Sequence, residues 1–172
     1  MGTVVCGHVH AGFAPSSRDD TRVGTDATLV PALWSLALTV VVLGPMFTSH
    51  GYLLLRDAVS TPRSYLTDSA LGLSDAAARA VPQDALLAWV TTVVDGGVAV
   101  TVLLVASLWA AGFGAAQLVS VLLPTSGVPA QVTAATVAIW NPYVGERLLQ
   151  GHWSLLAGYA ALPWAACAAV AV

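Results

Sequence analysis

Long apolar runs alternate with polar segments along this chain, and most of the runs have the length of membrane-spanning helices. Positions 29–47, 98–123, 128–140 and 154–172 are almost entirely apolar, the third run being the shortest. A helix rises ~1.5 Å per residue and the hydrocarbon core of a bilayer is ~30 Å thick, so about twenty apolar residues cross it. The pattern therefore predicts an all-α protein, a polytopic transmembrane helical bundle of about four spans.

The polar segments differ in character. Residues 1–28 are polar and lack periodicity, which predicts a loosely ordered tail. Residues 48–97 hold most of the ionisable groups and predict a loop domain with its own helices, one turn opening at Ser74 and a second helix running from Pro82 to Val94. Asp95, with the two glycines after it, is expected to end that helix, which would lie along the lipid headgroups.

A short amphipathic helix is predicted at 141–151, after the third span. Asn141 is expected to cap it, Pro142 to be its first residue and Gly151 to stop it. Helical geometry divides its side chains into a polar side and an apolar side. The polar side holds Tyr143, Glu146, Arg147 and Gln150, and the apolar side holds Val144, Leu148 and Leu149. Because eight to eleven residues are too few to cross a bilayer, we expect this helix at the membrane interface.

Composition agrees with a membrane protein. Hydrophobic residues make up 57% of the chain and charged residues 9%, with a mean hydropathy of +0.78. The net charge of −3 includes no basic run, so nucleic-acid binding is not expected. Cys6 and Cys167 lie at opposite ends of the chain, and neither a disulfide nor a metal pair is expected from them.

The number of spans determines which polar segments lie on the same side of the membrane. If the runs beginning at Leu29, Val98 and Val128 each cross once, loop 48–97 and helix 141–151 emerge at the same membrane face. Charged groups gathered at a membrane face are candidates for function. Most arginines lie on that face, and by the positive-inside rule this distribution indicates the cytoplasm.

Three segments carry a family resemblance. NPYVGERLLQGHW, Asn141–Trp153, resembles a segment of polytopic actinobacterial membrane proteins of the glycosyltransferase C superfamily, and weaker similarity includes GYLLLRDAVSTPR, Gly51–Arg63, and AVPQDALLAW, Ala80–Trp89. These proteins take sugars from polyprenyl-phosphate carriers outside the cytoplasm, so the resemblance implies an extracytoplasmic loop 48–97. We follow the resemblance over the arginine distribution, because long loops are translocated despite their charge. The family generally has more spans, which implies that this chain is the N-terminal part of a larger protein.

The resemblance also implies a catalytic base. An acidic residue just beyond the first span takes the proton from the acceptor hydroxyl in these enzymes, and Asp57 occupies that place. Its neighbour Arg56 is a candidate for keeping the carboxylate ionised; because adjacent residues need not face each other, structural pairing of Asp57 with another group is the alternative. Asp68, farther along the loop, is the substitute candidate, and a solvated loop aspartate is the alternative interpretation of that residue.

The lipid phosphate of the donor requires cationic or hydrogen-bonding groups. Arg63 and Arg147 are the candidates, because a guanidinium presents a planar pair of donors to two oxygens. The alternative interpretation is that Arg147 pairs with Glu146, itself a secondary candidate for the site, or extends to the headgroups. His152 and His50 flank the membrane on the same face and are candidates for phosphate binding or proton transfer.

The function implied by the resemblance is transfer of a sugar from a polyprenyl-phosphate donor to a cell-envelope glycan or glycolipid at the cell membrane. Expected partners are the polyprenyl-phosphate-linked sugar, membrane lipid, the envelope glycan acceptor and the remaining half of a split protein. No cofactor is expected. The paired acidic motif of many relatives is missing, which argues against metal-assisted transfer, and a bound divalent metal remains an open alternative. The missing motif also supports an alternative, a non-catalytic membrane subunit or inactive fragment that packs against a partner protein.

Overall fold

The structure, a computed structural model, describes residues 17–48, 54–55, 58–59, 61–75 and 81–170. It is built mainly of helices, joined by turns and one short antiparallel strand pair. In chain order the elements are α1 (Ser17–Thr48), β1 (Leu54–Leu55), β2 (Ala58–Val59), α2 (Gln83–Val90), α3 (Gly96–Leu122), α4 (Gly127–Ile139), α5 (Pro142–Leu149) and α6 (Trp153–Val170). Strands β1 and β2 pair with Leu54 opposite Val59.

Within the described part of the chain, three segments are long and apolar enough to cross a membrane: Thr28–Thr48 of α1, all of α3 and all of α6. The predicted third span is a helix, but α4 has only 13 residues and is therefore ~20 Å long. The described residues therefore contain three helices of spanning length, and the expectation of about four spans is not confirmed. The three long helices are compatible with a membrane protein.

Helix α3 is the centre of the bundle, since α1, α4 and α6 all pack against it. The core between these helices is apolar. It consists of Leu43, Val100, Leu104, Leu108, Ile139, Val144 and Leu156. Outside this core, large apolar side chains such as Leu33, Val102 and Leu162 are more than half exposed. Such surfaces are unusual for a soluble monomer and suit contact with lipid.

Interhelical contacts give the directions of the helices. Trp109 of α3 donates to the carbonyl of Ala32 near the start of the α1 span, whereas Leu104 shares a cleft with Leu43 near its end. Helices α1 and α3 are therefore antiparallel. Trp164 of α6 donates to the carbonyl of Ala110, and Leu156 shares the cleft with Leu104, so α6 runs parallel to α3. The end of α1, the first half of α3, the whole of α5 and the start of α6 consequently lie at the same end of the bundle.

Two glycines of α3 allow the closest helix contacts. A side chain at Gly112 would overlap Ile139 of α4 and reach Ser35 of α1, and one at Gly114 would lie 2.6 Å from the Trp164 Nε1 atom. Small residues at such positions let helix backbones approach in a membrane. The packing of α4 and α6 on α3 therefore depends on glycine at both positions.

Three predicted boundaries were wrong. Helix α1 begins at Ser17, so residues 17–28 are helical rather than part of a loose tail. Helix α2 ends at Val90 instead of Val94. Asp95 does not end a helix but begins the next one, because its carboxylate accepts from the amides of Gly97 and Val98 at the start of α3. The same aspartate–glycine pattern is compatible with either role, and tertiary packing decided between them.

The predicted loop domain is only partly helical in the residues that the structure describes. Helix α2 is present, while the turn expected at Ser74 is a bend and residues 76–80 lie outside the described ranges. Loop residues pack at the start of α3, where the Gly96 amide donates to the Pro62 carbonyl at 3.0 Å and the Ser64 amide donates to Thr91 Oγ1 at 3.1 Å. This anchoring holds residues 61–64 at the same end of the bundle as α5.

Candidate functional site

The polar segment at 141–152 lies between two apolar helices. Glu146 and Arg147 are the only formally charged residues in the sequence from Gly96 onward. An ionisable group among apolar helices is costly and is by default a candidate for function. The site is therefore built around this pair.

The start of α5 is formed by Asn141, as the sequence predicts. Its side-chain oxygen accepts from the Val144 amide at 2.9 Å, and Pro142 follows as the first helical residue. Its side-chain nitrogen donates to the carbonyls of Val137 and Ala138 at the end of α4, both at 3.0 Å. One side chain thereby satisfies backbone groups on both sides of the break between α4 and α5, which apolar surroundings require.

At the end of α5 the chain turns, so that the residues that follow lie beside Arg147. Gly151 has a φ of +72°, its amide donates to the Leu148 carbonyl, and the His152 amide donates to the Arg147 carbonyl. This pair of bonds is the Schellman arrangement, which needs a left-handed residue after the helix and favours glycine there. It places His152 beside Arg147 and starts α6 one residue later.

The Arg147 guanidinium is at the centre of a polar cluster. Nη1 donates to Gln150 Oε1 at 3.2 Å and lies 3.1 Å from His152 Nδ1, while Nη2 lies 3.7 Å from Glu146 Oε1. Because arginine can only donate, His152 Nδ1 accepts and the imidazole proton is on Nε2. Gln150 Nε2 in turn donates to Glu146 Oε1 at 2.9 Å. We call Glu146, Arg147, Gln150 and His152 the arginine cluster.

The aromatic ring of Tyr143 contacts the Arg147 guanidinium. The Arg147 Cζ atom lies 5.3 Å from the centroid of the Tyr143 ring, within the range of a cation–π contact. Tyr143 packs against Tyr159 of α6, whose hydroxyl donates to the Ala138 carbonyl of α4 at 3.0 Å. The guanidinium is therefore positioned by α4, α5 and α6 together.

Arg147 and His152 line an apolar cleft of about 300 Å³. Its other walls come from α1, α3, α5 and α6. They include Val42, Pro45, Met46, Leu104, Leu148, Trp153 and Leu156. The Nε atom of Arg147 is buried and has no hydrogen-bond partner among the described residues. We call this space the arginine cleft; it combines a cationic donor group with a hydrocarbon lining.

The structure brings together some of the predicted site residues. Glu146, Arg147 and His152 are all members of the arginine cluster. Arg63 is exposed on the loop, with its guanidinium 5.3 Å from the Tyr65 ring, and Asp68 is also exposed. None of the described contacts joins Arg63 or Asp68 to the cluster. The predicted base Asp57 and the secondary candidates Arg56 and His50 lie outside the described residues.

Some features of the site were not predicted, and others only in part. Leu149, assigned to the apolar side of α5, is 74% exposed, whereas Val144 of the same side belongs to the bundle core. Gln150 was placed on the polar side without a role; its spacing of three and four residues from Arg147 and Glu146 is the signal for both contacts. Met46 and Trp153 carry no such signal, because their position in the cleft depends on how α1 and α6 pack.

No group of three or more His, Cys, Asp or Glu side chains in the described part of the chain is arranged to hold a metal ion. Comparison with known proteins adds no assignment: no protein-family model, curated protein or solved structure matches this chain. What the site does is therefore argued from its own chemistry.

Proposed function

We propose that this protein binds a polyprenyl-phosphate-linked sugar and takes part in transferring the sugar to a cell-envelope glycan or glycolipid. The observation that carries the proposal is the arginine cleft, in which Arg147 lines a space with largely hydrocarbon walls and its buried Nε has no partner among the described residues. The matching ligand is an amphiphile with an anionic head and an apolar chain. A lipid phosphate has this chemistry, and the similarity of residues 141–153 to the glycosyltransferase C superfamily favours a polyprenyl carrier.

The present contacts of Arg147 are weaker than those that a phosphate would make. Two are neutral, Gln150 and His152, and the carboxylate of Glu146 is 3.7 Å away, at the outer limit of an ion pair. A phosphate that reached Nε and Nη2 would form a charge-assisted, two-point contact stronger than these. His152 would add an Nε2–H donor from the start of α6, where the helix dipole also favours an anion.

The proposed membrane arrangement has four crossings. In it, α4 and α5 together make the third crossing as a discontinuous helix, and α6 makes the fourth. Their combined 21 residues correspond to ~32 Å of helix, about the thickness of the hydrocarbon core. Breaks of this kind bring backbone and polar groups to a ligand within a membrane protein. Loop 48–97 and the arginine cluster would then share the extracytoplasmic face of the cell membrane.

The transfer itself requires a base and a leaving group. The acceptor hydroxyl loses its proton to a carboxylate, its oxygen bonds to the anomeric carbon, and the bond from that carbon to the lipid phosphate oxygen breaks. Asp57 is our proposed base, with Asp68 as the substitute. Arg147 stabilises the charge that develops on the departing phosphate, and Arg63 is a second candidate for that role.

A binding experiment tests the site. Arg147→Gln removes the charge and should weaken binding of a polyprenyl phosphate by about ten-fold or more, since charge-assisted hydrogen bonds contribute ~1.5–3 kcal/mol. Glu146→Gln is the matched control on the adjacent residue; it removes a competing carboxylate and should leave affinity unchanged or raise it. Binding is measured by native mass spectrometry of the full chain in nanodiscs. Equal affinity of the Arg147→Gln variant and the unaltered protein would reject the site.

A transfer assay separates the enzyme from the alternative. With a radiolabelled polyprenyl-phosphate sugar and envelope glycan, Asp57→Asn should abolish transfer and leave donor binding intact. Donor binding without transfer by the unaltered protein would favour the second function, a non-catalytic membrane subunit that presents or retains the lipid. The long apolar faces of α1 and α6 that the described residues leave exposed are compatible with packing against a partner subunit in that case.

A further inference from the structure

A second apolar cleft lies beside the arginine cleft, between α2, the first half of α3 and the start of α6. Its volume is about 540 Å³. The lining includes Leu86, Leu87, Val90, Val102, Leu103 and Trp153, and Gln83 is its one polar contributor among the described residues. We call it the α2–α3 cleft.

The two clefts are adjacent and share one lining side chain. Trp153, the first residue of α6, lines both of them. Leu103 and Leu104 are consecutive residues of α3, and the first lines the α2–α3 cleft while the second lines the arginine cleft. The arginine cleft and the α2–α3 cleft therefore meet at the Trp153 side chain.

The lining decides which part of an amphiphile fits there. Sugar hydroxyls or a phosphate in the α2–α3 cleft would lose their hydration and find almost no hydrogen-bond partner, which is costly. A hydrocarbon chain has no such requirement. Leu86 and Val102 at the cleft are more than half exposed, so the cleft also opens sideways towards the lipid that would surround the bundle.

We infer that the hydrocarbon chain of the lipid whose phosphate binds Arg147 passes Trp153 and lies in the α2–α3 cleft, so that α2 selects the carrier by chain length. This inference rests on the proposed function. It assigns to α2, a helix that lies outside the arginine cluster, a role in recognising the donor. The phosphate head and the hydrocarbon chain of the lipid are then recognised by different elements. Their contributions to binding affinity can be removed by separate substitutions.

The test compares a short and a long phosphate on the same variants, using geranyl phosphate and undecaprenyl phosphate. The unaltered chain should bind the long phosphate at least about ten-fold more tightly. Val90→Trp places a large side chain at the α2–α3 cleft and should abolish that preference without weakening the short phosphate. Val93→Trp is the matched control, because Val93 is 88% exposed and does not line the cleft; it should retain the preference.

The outcomes separate the two proposals. If Arg147→Gln weakens both phosphates and folded Val90→Trp still prefers the long one, the chain lies elsewhere and only this inference fails. If neither phosphate binds the unaltered protein, both fail. If Val90→Trp does not fold, the position of the hydrocarbon chain is tested in the unaltered protein with a long phosphate that carries a photoactivatable group near its chain end. Cross-links on α2 support the inference, and cross-links confined to other helices overturn it.

Discussion

Arg147 is a charged residue in surroundings that disfavour charge, and its contacts show how the cost is reduced. Insertion of an arginine near the centre of a membrane helix costs ~2.5–3.5 kcal/mol. Here the guanidinium contacts a ring, two neutral acceptors and one distant carboxylate, and its side chain keeps 25% exposure. These contacts stabilise the cation, while its Nε has no hydrogen-bond partner among the described residues.

Asn141 is the residue whose replacement should most directly weaken the site's framework. Asn141→Ala removes the acceptor of the Val144 amide and the two bonds donated to α4. We expect a loss of about 1–2 kcal/mol in the free energy of unfolding, measured by denaturant titration in detergent micelles. Asn141→Asp keeps the acceptor but places a carboxylate oxygen against the Val137 and Ala138 carbonyls in place of the donor, so its loss should be at least as large. Equal stability of the alanine variant and the unaltered protein would contradict this account of the break.

At the scale of elements, the break between α4 and α5 depends on how closely α4 approaches α3. The approach is set at Gly112, where Ile139 of α4 occupies the space that any side chain would need. Ile139 lies two residues before the Asn141 cap, so a displacement of α4 at this point would also move the start of α5. The position of the arginine cluster is thus tied to one glycine on another helix.

Gly112→Ala should therefore destabilise the bundle. The added methyl group overlaps Ile139, and overpacking of this kind costs about 1–3 kcal/mol, to be measured as a shift in thermal unfolding in detergent. Gly158→Ala on α6 is the matched control, because nothing lies within 4 Å of the methyl group it adds. It should raise stability by up to about 1 kcal/mol, because alanine favours the helix more than glycine does. Similar melting temperatures for the two variants would show that α4 does not pack as closely as described.

At the scale of the molecule, the antiparallel and parallel pairings around α3 decide which segments share a membrane face. The contacts of α1 and α6 with α3 place α5 at the end of the bundle where α3 begins and where loop residues 61–64 are anchored. The turn between α3 and α4 lies at the other end. This arrangement predicts the accessibility of single cysteines.

In a chain with Cys6 and Cys167 replaced by serine, cysteines at Asp84 and Glu146 should react with a membrane-impermeant reagent from one side of the membrane. A cysteine at Thr125, in the turn before α4, should react only from the other side. The ratio of labelling in intact and in inverted vesicles measures this. Glu146→Cys and Thr125→Cys labelling from the same side would show that α4 and α5 do not complete a crossing, and the proposed four-span arrangement would be abandoned.

Features that depend only on residues close together in the sequence could be predicted from the sequence. The Asn141 cap, proline at the first position of α5 and the left-handed Gly151 were predicted correctly, because each is a hydrogen-bonding or steric requirement met within a few residues. The apolar runs were also predicted as helices, since their length and composition are sufficient evidence. Asp95 was misjudged because a carboxylate followed by glycines fits the end of one helix and the start of another.

By itself, the sequence determined that the chain is apolar and helical and that it contains a short polar helix with defined ends. Both features depend on residues that are consecutive in the chain, namely those that form local hydrogen bonds and those that make up each apolar run. Only the tertiary structure decided that α6 runs parallel to α3, that Met46 and Trp153 line a cleft with Arg147, and that Trp153 also lines the α2–α3 cleft. Those contacts join residues far apart in the chain. Many helix pairings bury similar apolar area, and the one adopted depends on the fit of particular side chains, such as Ile139 against Gly112.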